Sequence, residues 1–105
     1  MSVRIDVTGE VVTAYLSGEI DHHTAAAMRE AVDTAIRVNA PTLLVLDFSG
    51  ITFMDSSGIG LVMGRYRMLQ RINAELLITN TPPNIHKLLK LAGVDKLAKL
   101  DDGGN

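Results

Sequence analysis

Two adjacent hydroxyls beside a carboxylate stand at positions 55–57, within the run Phe53-Met54-Asp55-Ser56-Ser57-Gly58-Ile59-Gly60. Such groups can attack a substrate, help cradle a phosphate, or receive one. Attack calls for a serine on a sharp G-x-S-x-G turn with a base in reach. Met54 stands two residues before Ser56 and Asp55 two before Ser57, so neither serine fits. His86, on an apolar helical pattern downstream, has no clear route to them. No catalytic residue is assigned, and a hydrolase is not expected. Cradling is also poorly supported. Gly58, Gly60 and Gly64 read G-x-G-x-x-x-G, one residue off the dinucleotide fingerprint, and no P-loop lysine follows. Glycine inside a helix costs ~1 kcal/mol and needs a reason. The expected reason is a smooth face, formed by Gly60 and Gly64, packed closely on a strand.

Receiving a phosphate suits the position better. A serine at the first turn of a helix meets unpaired backbone N–H groups and the positive end of the dipole. Phosphorylation there adds roughly -1.5 to -2 charges and alters the surface while leaving the fold in place. Asp55 opposes that charge. The plainer alternative is that Asp55, Ser56 or Ser57 caps the helix. Spacing alone favours the cap, because capping serines are common.

The elements that position this run can be read from periodicity. Val3, Ile5 and Val7 alternate with polar residues as in a half-buried strand. Gly9-Glu10 reads as a two-residue turn into a second strand over Val11 to Leu16, ended by Ser17-Gly18. Ala27, Met28, Ala31, Val32, Ala35 and Ile36 mark a helix capped by Asp21 or Thr24 and broken at Asn39-Ala40-Pro41. Thr42 to Phe48 is nearly all apolar, which predicts a strand buried on both faces. A second helix runs from Ile59 to Leu69, a fourth strand from Glu75 to Thr79, and a third helix starts at Pro82-Pro83 and stops at Gly93. Val94 to Leu100 reads as a short edge strand, and Asp101 to Asn105 as a frayed tail. The order predicts an α/β fold: a mixed sheet with an N-terminal antiparallel hairpin, then parallel units by right-handed crossovers, with helices mainly on one face. Loops at the C-terminal ends of parallel strands are where such folds usually hold function, and the Asp55-Ser56 loop falls there.

Composition narrows the partners. The chain has 105 residues, 47% of them apolar, which suits one domain spanning residues 1–105. A net charge of -2 argues against nucleic acid as the main partner. The absence of cysteine excludes disulfides and thiolate metal sites and agrees with a reducing, cytoplasmic setting. No apolar run approaches the ~20 residues of a membrane span. The N-terminal alternation reads as a strand and not a leader. Nothing suggests an obligate oligomer, so a monomer is expected.

Asp21, His22 and His23 raise a metal question. Adjacent histidines on a short loop seldom converge on one ion, and no third ligand has a suggestive spacing. We expect no metal and no cofactor: Asp21 caps the helix, one histidine packs and one is solvated. Arg65, Arg67 and Arg71 are expected on the exposed side of the second helix, as a solvated face or as cations facing an acidic partner. Met63 and Met68 are read as core filler.

The segment Gly18-Glu19-Ile20-Asp21-His22-His23-Thr24-Ala25 resembles the G-E-[LI]-D-H-H-T motif of anti-sigma factor antagonists of the STAS family. The run Phe53 to Gly60, continued by Gly64-Arg65-Tyr66, looks like their phosphorylation loop and following helix. The likeness extends from about Val3 to Leu100, and Gly-Arg-Tyr points to the sporulation branch over the general-stress branch. It implies a STAS-like fold and a protein that is not an enzyme. Such a protein binds an anti-sigma factor that is also a serine kinase, ADP- or ATP-bound, and so frees a sigma factor. The kinase then phosphorylates the antagonist and the complex parts, until a PP2C-type serine phosphatase restores it. Carried over by position, the acceptor is Ser56. The resemblance implies that Asp55 helps orient its hydroxyl, that Ser57 and Gly58 shape the helix start, and that Asp21 lies on a loop near Ser56 and the kinase face. The resemblance also implies a further C-terminal helix that the sequence does not include. The alternatives are a general-stress-type antagonist and a small nucleotide- or ligand-binding STAS domain, which the missing P-loop lysine and base disfavour.

Overall fold

The computed structural model describes residues 2–101. The chain runs β1 (Ser2–Thr8), β2 (Val11–Ile20), α1 (Ala25–Asn39), β3 (Leu43–Met54), α2 (Ser56–Gln70), β4 (Glu75–Thr79), α3 (Pro83–Leu91), a 3-10 turn (Val94–Lys96) and β5 (Lys99–Leu100). The strands form one sheet in the order β1-β2-β3-β4-β5, antiparallel at β1–β2 and parallel thereafter. Thr8 pairs with Val11 across Gly9-Glu10, and Gly9 has φ 60°, which suits the first position of a tight hairpin turn.

Each right-handed crossover carries the chain one strand further in the same direction, so successive helices land on the same face. The core forms there from Val12, Ala14 and Leu16 of β2, Leu44, Leu46 and Phe48 of β3, and Leu76 and Ile78 of β4, under Met28, Val32 and Ile36 of α1 and Leu61, Val62 and Leu69 of α2. This corrects the expectation that β3 is buried on both faces. Leu44, Leu46 and Phe48 are fully covered, whereas Leu43 and Val45 are only half-buried. A sheet wound in one direction has helices for one face only.

Asp47 lies on the uncovered face yet is buried. Its carboxylate accepts from Ser49 N–H at 2.9 Å, Ser49 Oγ–H at 2.7 Å and the Asn80 amide at 2.8 Å, which ties β3 to the end of β4. Burial pushes its pKa up. The hydrogen bonds from Ser49 and Asn80, with Arg4, outweigh that and hold it below the usual carboxylate value.

Two terminal expectations change. Val94 to Leu100 is not one strand: a 3-10 turn precedes a two-residue β5. Gly93, at φ 80°, ends α3 as expected, and the chain turns before it can pair with β4. Asp101 is tied down, its N–H donating to Ile78 O at 2.8 Å and its Oδ2 accepting from Thr79 Oγ1 at 3.1 Å. The rest of the expected tail lies outside the described residues.

Candidate functional site

The site is built where β2 and β3 end side by side. Both strands run further than their patterns suggest, β2 to Ile20 and β3 to Met54. Register shifts between Tyr15 and Ser17 and between Gly18 and Glu19 each put one extra residue into β3. Each shift flips the side-chain alternation, so Phe48, Ile51 and Met54 face the core at intervals of three where a regular strand would use two. Gly50 permits the first shift, because a Cβ there would lie 2.9 Å from Leu16 O and from Ser17 Cβ. The result pairs Ile20 with Met54, and Asp55 N–H donates to Ile20 O at 3.1 Å. Asp21 and Asp55, distant in sequence, therefore leave neighbouring strand ends together.

Each aspartate then organises the helix that follows it. Asp21 Oδ1 accepts from His23 N–H at 2.9 Å and Thr24 N–H at 3.0 Å, and its own N–H donates to Thr24 Oγ1 at 3.0 Å. Ala25 N–H reaches Asp21 O at 2.9 Å, so Asp21 caps the turn over residues 22–24 that leads into α1, whose own N-cap position is Thr24. Thr24, the other candidate, makes no side-chain cap bond to the helix. The backbone N–H of Thr24, then that of His23 and the His23 charge, lower the Asp21 pKa against a smaller opposing effect of desolvation. His22 and His23 are both exposed, their ring centroids 4.0 Å apart, so the expectation that one packs is not met. Among the described residues no three His, Cys, Asp or Glu are placed to hold a metal ion.

At α2 the capping duty falls to Asp55. It has extended backbone, and its Oδ1 accepts from Ser57 N–H at 2.8 Å. Ser57, half-buried, gives its N–H to that cap. Ser56 is the first helical residue and is exposed, and among the described residues its hydroxyl makes no hydrogen bond. The alternatives left open by spacing are thus divided between neighbours: Asp55 caps and Ser56 presents its hydroxyl. Gly58 is buried against Met54, whose Cγ and Sδ would both lie 2.2 Å from an added Cβ. Glycine here lets the helix start descend onto the end of β3.

Gly60 and Gly64 do not form the expected face packed on a strand. A Cβ at either would meet nothing within 4 Å. Gly60 instead opens onto a cleft of about 340 Å³ between α1 and α2, lined also by His22, Ala26, Arg29, Ser57 and Leu61.

Arg65 is likewise not on the exposed side of α2. It is buried, with Nε 2.7 Å from Asp33 Oδ1 of α1 and Nη1 donating to Leu61 O at 3.2 Å. The Nε–H is not aligned on Oδ1 as a hydrogen bond requires, so the contact is one of charge. Burial depresses the Arg65 pKa more than the Asp33 charge raises it, and Arg29 adds a further repulsion. Its signal was in the sequence: Leu61, Val62, Arg65 and Leu69 share one helical face. Arg67 and Arg71 are exposed as expected. Arg29 and the half-exposed Phe53, one residue before the core residue Met54, were not singled out from the sequence. Arg29 would have followed from placing it one helical turn before Asp33. Phe53 would have followed only from knowing the bulge. His86 is engaged by Thr81, its Nδ1 3.1 Å from Thr81 Oγ1.

The site has an exposed serine hydroxyl at a helix start, a carboxylate that holds the helix start in place, and a second capped helix beside it. Its geometry suits presentation of Ser56 to another protein.

A family model described as the STAS domain matches residues 2–103. A curated relative from Paenibacillus polymyxa, an anti-sigma F factor antagonist, is 36% identical over 92 residues, 88% of this chain and 79% of its own length. Among solved structures, the anti-sigma factor antagonist SpoIIAA in its unphosphorylated form is 34% identical with a TM-score of 0.81, covering 94% of this chain and 87% of that one. The Bacillus cell fate determinant SpoIIAA in the phosphorylated form is 34% identical with a TM-score of 0.74, covering 94% and 90%.

Proposed function

The chain belongs to the STAS domain family, and we propose that it is an anti-sigma factor antagonist controlled by phosphorylation of Ser56. It works by binding and not by catalysis. In this reading the unphosphorylated protein binds an anti-sigma factor that is also a serine kinase and releases the sigma factor for sporulation-specific transcription. That kinase phosphorylates Ser56, the complex dissociates, and a PP2C-type phosphatase returns the hydroxyl. The cytoplasm is the setting such partners imply; among the described residues no helix is long and apolar enough to cross a membrane.

One observation carries the assignment of Ser56 over Ser57. Asp55 takes the capping bond through Ser57 N–H, and the Ser56 hydroxyl is left exposed without a partner among the described residues. A relative solved in both unphosphorylated and phosphorylated forms supports the switch. The physics is consistent with it. Phosphate at the first residue of α2 lies at the positive end of the helix dipole and on an exposed side chain, so the fold persists. The same charge, set against acidic groups or a nucleotide in a partner, can cost several kcal/mol of binding.

The test is intact-mass analysis with phosphosite mapping after incubation with ATP and a candidate anti-sigma-F kinase. One phosphate on Ser56 is the expected result. Ser56→Ala should still bind the kinase with ADP and take up no phosphate; phosphate uptake by that variant would overturn the assignment. Ser56→Asp should fold and bind much more weakly, whereas Ser57→Ala should still be phosphorylated.

A further inference from the structure

We propose that the cleft between α1 and α2 is a receptor for an acidic side chain of the partner kinase, with Arg29 as its cation. The inference rests on the antagonist reading above and adds the chemistry of the docking surface.

Three observations point to an acidic occupant. The first is an imbalance of charge. Arg29 and Arg65 lie close enough for the Arg29 charge to oppose that of Arg65, and among the described residues the ion pair at this place is that of Arg65 with Asp33. Asp33 is committed to Arg65 at 2.7 Å. Among the described residues Arg29 has no carboxylate within ion-pair distance, and its side chain lines the cleft. The second is the lining itself. His22, Ala26, Arg29, Ser57, Gly60 and Leu61 supply donors and apolar walls, and no acidic residue is among the cleft's lining residues. A carboxylate entering there meets a guanidinium without displacing a resident anion. The third is the room. Gly60 lies inside α2, where glycine is a poor helix former, and no packing contact explains it. Its bare side faces this cleft of about 340 Å³, large enough for a side chain to enter from outside.

The position of the cleft ties it to the switch. Ser57 is one of its walls and Ser56 is the next residue. A phosphate on Ser56 would put roughly -1.5 to -2 charges beside the opening. It would offset the attraction of Arg29 and repel the incoming carboxylate. Weak binding after phosphorylation then follows from lost attraction as well as new repulsion.

The experiment measures binding of wild-type protein, Arg29→Glu, Arg29→Lys and Ser56→Asp to the ADP-bound kinase, at low and at high salt. Thermal unfolding of each variant checks folding. Arg29→Glu is expected to weaken binding on the order of tenfold at low salt, with the difference shrinking as salt rises, because exposed charges are screened over ~10 Å at 0.1 M. Arg29→Lys should retain most of the affinity. Gly60→Gln, which fills the cleft without adding charge, should also weaken binding while remaining folded. If Ser56→Asp loses binding but Arg29→Glu and Gly60→Gln bind as wild type does, the cleft proposal falls and the antagonist reading stands. If wild-type protein binds no anti-sigma kinase, both fall together.

Discussion

The Arg65–Asp33 pair joins α1 to α2 beneath the candidate docking surface, and its removal gives a sharp test of the packing argument. The side chains are 7% and 19% exposed, so Arg65 is almost dry and Asp33 keeps some water. Removing one member of a fully buried pair costs ~3–5 kcal/mol, chiefly because the other charge is stranded. Arg65→Met strands a carboxylate that water can still partly reach, so the cost is expected at about 2–3 kcal/mol. Asp33→Leu strands the drier guanidinium and should cost more, about 3–4 kcal/mol. Against a total stability of ~5–15 kcal/mol either change is large. For a domain of this size Arg65→Met corresponds to a fall in Tm of about 10–15 °C. The Arg65 charge is incompletely compensated: burial lowers its pKa despite Asp33, and Nε–H is poorly aligned on its partner. The double variant Arg65→Met, Asp33→Leu should therefore return to within about 1 kcal/mol of the parent, a coupling of several kcal/mol. Urea unfolding followed by circular dichroism on the four proteins gives the cycle. Arg65→Met within ~0.5 kcal/mol of the parent, or a double variant as unstable as the two single changes added, would refute the reasoning.

Other expectations follow from the same structure. Gly58→Ala gains about 1 kcal/mol of helix propensity but drives Met54 from its place, so a net loss of about 1–2 kcal/mol is expected in urea unfolding, with slower phosphorylation of Ser56 as the helix start shifts. Asp55→Ala should lose about 1 kcal/mol by removal of the cap on Ser57 N–H, while Asp55→Asn, which can still accept that bond, should lose less. Asp47 is held below its unfolded pKa of ~3.9, so its contribution to stability is fully present above that value and disappears as pH falls through the folded one. Asp47→Asn should flatten that part of an acid-unfolding curve, and an unchanged curve would exclude Asp47 as a contributor. Gly60→Ala should raise Tm by several degrees, since the added Cβ meets open space.

Much of this protein was legible in its sequence because its elements are locally encoded. Alternation gave β1, the spacing of Met28, Val32 and Ile36 gave α1, and the helix-stopping runs at Asn39-Ala40-Pro41 and Gly93 fall where the chain turns. Two short motifs carried the family resemblance, and the order of elements carried the mixed sheet. Three-dimensional structure decided what depends on neighbours distant in sequence. Whether a strand has one covered face or two depends on the direction in which the sheet is wound, which left Leu43 and Val45 half-buried against their apolar pattern. The two β3 bulges depend on pairing with β2, and they bring Asp21 beside Asp55. Arg65 reads as a surface cation until Asp33 of another helix is placed 2.7 Å away. Gly60 and Gly64 look like a packing face until no atom is found within reach. Local sequence specifies backbone conformation through short-range sterics and hydrogen bonding; burial, charge pairing and the shape of the cleft arise only when separate segments meet.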